Sequence, residues 1–336
     1  MIEGHGDDLH KFGNVRANFS SNINPEGPPA ELIARLKDSL SNISSYPEPL
    51  AATLARRLEY ASGLGEGTVL ITAGAVEAFY LLAHYMRNKR SLIYTPSFSE
   101  YADACRLAGH QVDFREHWKF EDDDPAGMDM VWICNPNNPD GRLYGPETIC
   151  HRVRENPQTL FVVDEAYIDF TLGDFSLINE IQKFPNLVVV RSMTKRYAIP
   201  GLRLGYVAAG QLLTESLEQD LMPWRINSLA LEAGMFCTEY SGKEDFPLAE
   251  WLQESRRLQK AIDAIDGFQV QPSETLFFLV KGPEKASLIK EKLARDEGLL
   301  IRDASNFRGL TPYHFRISVQ TPEKNDWLIQ ALRSWS

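Results

Sequence analysis

The chain has 336 residues, 43% hydrophobic and 24% charged, and its 46 acidic against 35 basic side chains leave a net charge of −11. That balance speaks against nucleic-acid binding, which needs a clustered basic face, and no apolar run approaches the roughly 20 residues that span a bilayer. Four cysteines without a CxxC pair and seven histidines without HxxxH or HExxH spacing speak against a disulfide framework and a metal site.

In chain order, the polar start MIEGHGDDLHKFGN has no basic n-region or apolar h-region, so a cytoplasmic protein with reduced thiols is expected. Residues 1–45, with the Pro/Gly-rich Asn24–Pro29, predict an arm with a short helix that packs on a small domain or a partner subunit. Residues 46–222 alternate short apolar runs with amphipathic stretches, the pattern of a mostly parallel, doubly wound α/β sheet. Its predicted strands are Thr68–Thr72, Leu92–Tyr94, Gln111–Phe114, Met130–Cys134, Leu160–Val163, Leu187–Val190 and Leu204–Ala208. Helical spacing recurs over Val76–Tyr85 and Tyr101–Leu107. From about Pro223 the texture changes. Residues 223–336 predict a smaller α+β domain: a helix over Leu248–Ile265, a strand at Thr275–Val280, a charged helix over Glu284–Glu297, strands at Leu299–Ile301 and His314–Val319, and a closing helix over Glu323–Ser334.

In open α/β sheets, ligands bind beyond the carboxyl ends of the strands, so those ends carry the functional reading. After Val190 stand Ser192, Thr194 and Lys195, with Arg203 eight residues beyond the lysine. Hydroxyls and a guanidinium hold a phosphate, and a lysine amine forms an imine. After Val163 stands Asp164, costly to bury unless a cation such as a protonated pyridine pairs with it. After Cys134 comes the turn Asn135–Gly141, whose amides would contact a phenolate oxygen; after Tyr94 comes Phe98, an aromatic ring placed to stack on a flat cofactor. After Thr72, Ala73-Gly74-Ala75-Val76 opens a helix whose free N–H groups suit a phosphate, although neither a Walker loop nor a dinucleotide fingerprint is present. Each feature alone has a bland alternative, such as a loop lysine, a helix cap or a tight turn. Together, and in this order, they point to pyridoxal phosphate (PLP).

These segments resemble the fold-type-I PLP enzymes of the class I/II aminotransferase family over nearly the whole chain. The resemblance rests on Ser20–Pro25, Tyr46-Pro47, Asn135–Gly141, Asp164–Phe170, Ser192–Tyr206 and Phe315–Val319. Thr194–Tyr206, Asn22–Pro29 and Pro223-Trp224 point to the branch that decarboxylates threonine phosphate in cobalamin synthesis, ahead of histidinol-phosphate aminotransferase. The resemblance implies that Lys195 carries PLP as a Schiff base, Asp164 pairs with the pyridinium, and Asn138 and Tyr167 bind the phenolic oxygen. It further implies that Phe98 stacks on the ring, that Gly74, Ala75, Val76, Ser192, Thr194 and Arg203 surround the phosphate, and that Tyr46 comes from the other subunit of a homodimer. Arg316 matches the arginine for the substrate carboxylate, and Arg302, His5 and Asn24 match positions associated with a phosphorylated amino-acid or amino-alcohol substrate. The chain departs from the family pattern at His5-Gly6-Asp7-Asp8, where His-Gly-Gly-Asn is usual, at Val76, and at Asp140, where threonine is usual.

Overall fold

The computed structural model describes residues 7–240 and 246–335. Its strands are β1 (Ala17–Asn18), β2 (Val69–Thr72), β3 (Arg90–Thr95), β4 (Gln111–Glu116), β5 (Met130–Cys134), β6 (Leu160–Asp164), β7 (Leu187–Ser192), β8 (Gly205–Ala208), β9 (Gln269–Gln271), β10 (Phe277–Lys281), β11 (Leu299–Leu300), β12 (Arg302–Asp303) and β13 (His314–Ser318). The α-helices are α1 (Ala30–Asp38), α2 (Ala52–Ser62), α3 (Ala75–Tyr85), α4 (Glu100–Leu107), α5 (Pro146–Glu155), α6 (Gln211–Glu218), α7 (Ser228–Glu239), α8 (Leu248–Asp263), α9 (Ala286–Lys292) and α10 (Pro322–Arg333).

Seven strands form one sheet in the order β2-β8-β7-β6-β5-β3-β4. All neighbours run parallel except β8, which is antiparallel to β2 and β7. Every residue of β5 and β6 is buried, as a sheet covered on both faces requires. Parallel pairing brings the carboxyl ends of β3, β5, β6 and β7 to one edge, where Thr95, Cys134, Asp164 and Ser192 end their strands. That shared edge places the site.

Below it, Phe79 on α3 packs edge-on against Tyr101 at 4.9 Å and Trp132 at 5.9 Å, and Tyr101 stacks on Trp132 at 5.3 Å. Ring pairs of this kind contribute about 0.5–1.5 kcal/mol each beyond their burial. They hold the start of α4, and with it Phe98 and Tyr101, under the strand ends.

The second unit is a four-stranded antiparallel sheet, β12-β13-β10-β9, covered by α8 and α10. The chain start is shared between the two cores: β1 pairs with β11 and Phe19 enters the second core, whereas Leu32 of α1 enters the first. The change of texture at Pro223 precedes the change of core, because Ile226 and Ala230, Ala233, Phe236 and Cys237 of α7 still pack in the first. The charged stretch predicted as one helix over Glu284–Glu297 is α9 followed by a wider-wound turn, Leu293–Glu297. Of the predicted strand Leu299–Ile301, Leu299–Leu300 form β11, which takes the arm, and the strand that joins the sheet, β12, begins only after Ile301, at Arg302. Among the described residues, no helix is long and apolar enough to cross a membrane.

Candidate active site

Two adjoining cavities open where the strand ends meet the second unit. The smaller, about 80 Å³, is lined by Gly74, Ala75, Val76, Phe98, Asn138, Asp164, Tyr167, Ser192, Thr194, Lys195 and Arg203. Residues from five separate strand ends are thus gathered around one space.

Asp164 ends β6 and is 3% exposed. Burial raises its carboxyl to about 6, against the opposing hydrogen bonds from the Tyr101 hydroxyl (2.5 Å) and the Ala166 N–H (2.9 Å). A carboxylate so placed is stabilised by a cation brought to the cavity face, and a protonated pyridine nitrogen is such a cation. Tyr101 escaped the sequence reading. Its only local signal was its spacing, three residues after Phe98, at the start of a helix.

Lys195 lies in the turn after β7 and borders both cavities. Burial, together with the positive charges of Arg316 and Arg203, lowers its amine to about 8, and its Nζ stands 5.6 Å from the Tyr167 ring centre. A substantial neutral fraction near physiological pH makes the amine nucleophilic.

The third wall is a cup for an anion. Gly74, at φ +84°, begins α3, and a Cβ there would lie 2.6 Å from Arg203 Nη2. A Cβ at Gly205 would lie 2.8 Å from the Ala75 nitrogen. Both glycines let the backbone come close enough to surround a phosphate. Ser192 Oγ and Thr194 Oγ1 stand 2.9 Å apart beside it. The Ala73 N–H and Arg225 Nε both donate to Glu77 Oε2, at 2.6 and 3.0 Å, which steadies the turn. Val76 contributes only an apolar side chain. The glycine cradle, the cation-seeking Asp164 and the activated Lys195 fit PLP in its three parts: phosphate, ring nitrogen and aldehyde.

The larger cavity, about 360 Å³, shares Phe98, Asn138, Tyr167 and Lys195 with the first and adds Arg302 and Arg316. Each guanidinium is 5% exposed, and burial lowers each to about 10, Arg316 adding to the effect on Arg302. Arg316 Nη1 donates to Asn138 Oδ1 and Nη2 to the Ser20 carbonyl, both at 2.5 Å, while Arg302 Nη2 donates to Asn306 Oδ1 at 2.9 Å. Neither arginine forms an ion pair within 4 Å among the described residues. Two buried cations in one cavity call for anions.

Two expected residues, Asn24 and Tyr46, lie elsewhere. Asn24 faces neither cavity: its Oδ1 accepts from the Glu26 N–H (3.0 Å) and its own N–H donates to the Lys195 carbonyl (2.9 Å). Asn22, two residues earlier, lines the larger cavity instead, 3% exposed, with both side-chain polar atoms unpartnered. Tyr46 is 85% exposed and packs on Trp224 at 5.4 Å, apart from both cavities. His5 lies outside the described residues. Of its neighbours, Asp7 borders the larger cavity, whereas Asp8 is drawn aside by Lys290 at 2.5 Å.

Comparison with known proteins gives the family. The profile of the family "aminotransferase class I and II" matches residues 16–332. The chain is 29% identical to threonine-phosphate decarboxylase of Salmonella typhimurium, over 94% of this chain and 90% of that one. It is 30% identical to histidinol-phosphate aminotransferase of a Thermoanaerobacter species, over 95% and 92%. The crystal structure of L-threonine-O-3-phosphate decarboxylase from Porphyromonas gingivalis superposes with a TM-score of 0.90 at 37% identity, covering 95% of this chain and 98% of that one.

Proposed function

The chain belongs to the class I and II aminotransferase family of PLP-dependent enzymes, and we propose that it binds PLP on Lys195 and decarboxylates L-threonine O-3-phosphate to an aminopropanol phosphate. The observation that carries this is the pair Arg302 and Arg316, two buried guanidiniums that form no ion pair with a carboxylate among the described residues, bordering the same cavity as Lys195. A small amino acid bearing both a phosphate and a carboxylate satisfies both at once. Relatives with either activity share this fold, and the 37% identity over nearly the full chain favours the decarboxylase reading.

Each side chain has a task in this reading. Arg203, Ser192, Thr194 and the Gly74–Ala75 turn hold the cofactor phosphate, and Asp164 keeps the ring nitrogen protonated. PLP held by these residues would supply the electron sink for the Cα bond that breaks. Lys195, which borders both cavities, would stand beside the substrate Cα, where its amine would hold or deliver a proton. Arg302 and Arg316 fix the two anionic ends of the substrate and so select the bond that breaks.

The test is one screen that measures CO2 release and keto-acid formation in parallel. CO2 from threonine phosphate is the expected result. Silence there, with turnover of histidinol phosphate and 2-oxoglutarate, would transfer the assignment to the aminotransferase.

Tyr46 lies with Ile43 (69% exposed) and Trp224 (49%) in an apolar patch, which we assign to a second copy of the chain. Light scattering should return a dimer mass; a monomer of full activity would contradict it. The four cysteines are buried and free, which suits a reducing, cytosolic setting.

A further inference from the structure

The turn Asn135–Gly141 carries Asn138, whose Oδ1 accepts from Arg316. With the carbonyl oxygen so engaged, the amide NH2 is the group left to face the cofactor cavity that Asn138 lines. What holds this turn is a carboxylate. Asp140 is 1% exposed, and four donors converge on it: His117 Nε2 (2.9 Å), Asn137 Nδ2 (2.7 Å), the Arg142 N–H (3.2 Å) and Gln271 Nε2 (3.1 Å). Burial acts to raise its carboxyl, but the hydrogen bond and charge of His117, with the Asn137 and Arg142 contacts, bring it below the ordinary value. A carboxylate can be buried this deeply only because these donors replace its water.

The donors come from different parts of the molecule. His117 follows β4 in the first unit, whereas Gln271 ends β9 in the second. A Cβ on the next residue, Gly141, would overlap Ser273 Oγ and lie 2.9 Å from Thr275 Oγ1, so the turn rests directly on the second unit. Arg316, on β13, belongs to that unit too. A threonine hydroxyl in place of Asp140 is shorter and uncharged, and it would not accept from both sides.

We propose that Asp140, held by His117, is a positioning residue that sets the Asn138 amide against the cofactor and Arg316 and couples that setting to the docking of the second unit through Gln271. The assignment rests on the PLP reading above. It makes no use of Asp140 as a group that touches substrate.

The experiment compares PLP-loaded wild type with Asp140→Thr, His117→Phe and His117→Gln, the last keeping a donor toward Asp140. A phenolate oxygen that loses an amide donor binds its proton more tightly. The pH midpoint of the cofactor's visible absorbance should therefore rise by about half a unit or more in the Thr and Phe variants. KM for threonine phosphate should rise about tenfold, while kcat falls less than about threefold. His117→Gln should return both readings to within about twofold of wild type. Unchanged midpoint and KM in Asp140→Thr or His117→Phe would overturn the assignment, as would a loss of thermal stability alone with both readings preserved. If Asp140→Thr does not fold, the His117 pair decides by the same two readings. Wild type that develops no cofactor band would refute the PLP reading, and this assignment with it; a normal wild-type band with unresponsive variants refutes this assignment alone.

Discussion

Replacing Asp164 by Asn should stabilise the protein without PLP and weaken it with PLP. Asp164 is 3% exposed, and its carboxyl is raised from 3.8 to about 6 by burial. A raised carboxyl means that the folded protein holds the proton more tightly than the unfolded chain. The penalty is therefore absent at low pH, grows as pH rises from about 4, and is complete above about 6. At 1.36 kcal/mol per pH unit, the shift corresponds to about 3 kcal/mol at pH 7.5 and roughly half that at pH 5. Asn carries no charge and keeps an oxygen for the Tyr101 hydroxyl; its NH2 then faces the Ala166 N–H, a lost hydrogen bond of about 1 kcal/mol that reduces the gain without cancelling it. Chemical denaturation of apo wild type and Asp164→Asn at both pH values measures the difference directly. Adding PLP should then reverse the ranking, because only the carboxylate pairs with the ring cation, and binding to the folded state stabilises by mass action. An apo variant less stable than wild type at pH 7.5, or equal stabilisation of both proteins by PLP, would refute the reasoning.

Lys195→Ala should lose activity by about 10³-fold or more. Borohydride reduction followed by mass spectrometry should find the cofactor's mass added to wild type and not to the variant. Because the Lys195 amine is lowered to about 8, it is increasingly neutral as pH rises toward that value; the rate of PLP uptake by the apo protein should climb between pH 6.5 and about 8 and then level off. Gly74→Ala places a Cβ at φ +84°, 2.6 Å from Arg203 Nη2. It should cost about 1–3 kcal/mol of backbone strain and raise the Kd for PLP, read by equilibrium dialysis. Arg302→Gln and Arg316→Gln each remove a buried cation and should lower kcat/KM for a doubly anionic substrate by about 10²-fold. Isothermal titration with inorganic phosphate should show which of the two holds the phosphate end.

Lys195, Asp164, Asn138, Phe98 and the Gly74 turn were legible in the sequence because each follows an apolar run that can only be a buried strand. In a parallel sheet such runs end on one edge, so local pattern implies common location. Arg302 and Arg316 needed the family resemblance, since nothing in their own segments points toward a cavity. The arm shows where local reasoning stops. Asn22 and Asn24 are equivalent by spacing, yet Asn24 turns back to cap Glu26 and Asn22 is left unpartnered in the cavity. The same holds for α7, whose allegiance to the first core depends on where the chain runs rather than on its own periodicity. Tyr101 against Asp164, and His117 with Gln271 on Asp140, are side-chain contacts across 63, 23 and 131 residues of chain. Sequence alone therefore determined the sheet, the edge and the chemistry assembled there. Only the tertiary structure decided which buried polar groups are paired and which are left for a ligand, because a hydrogen bond depends on ångström distances and angles that no residue specifies by itself.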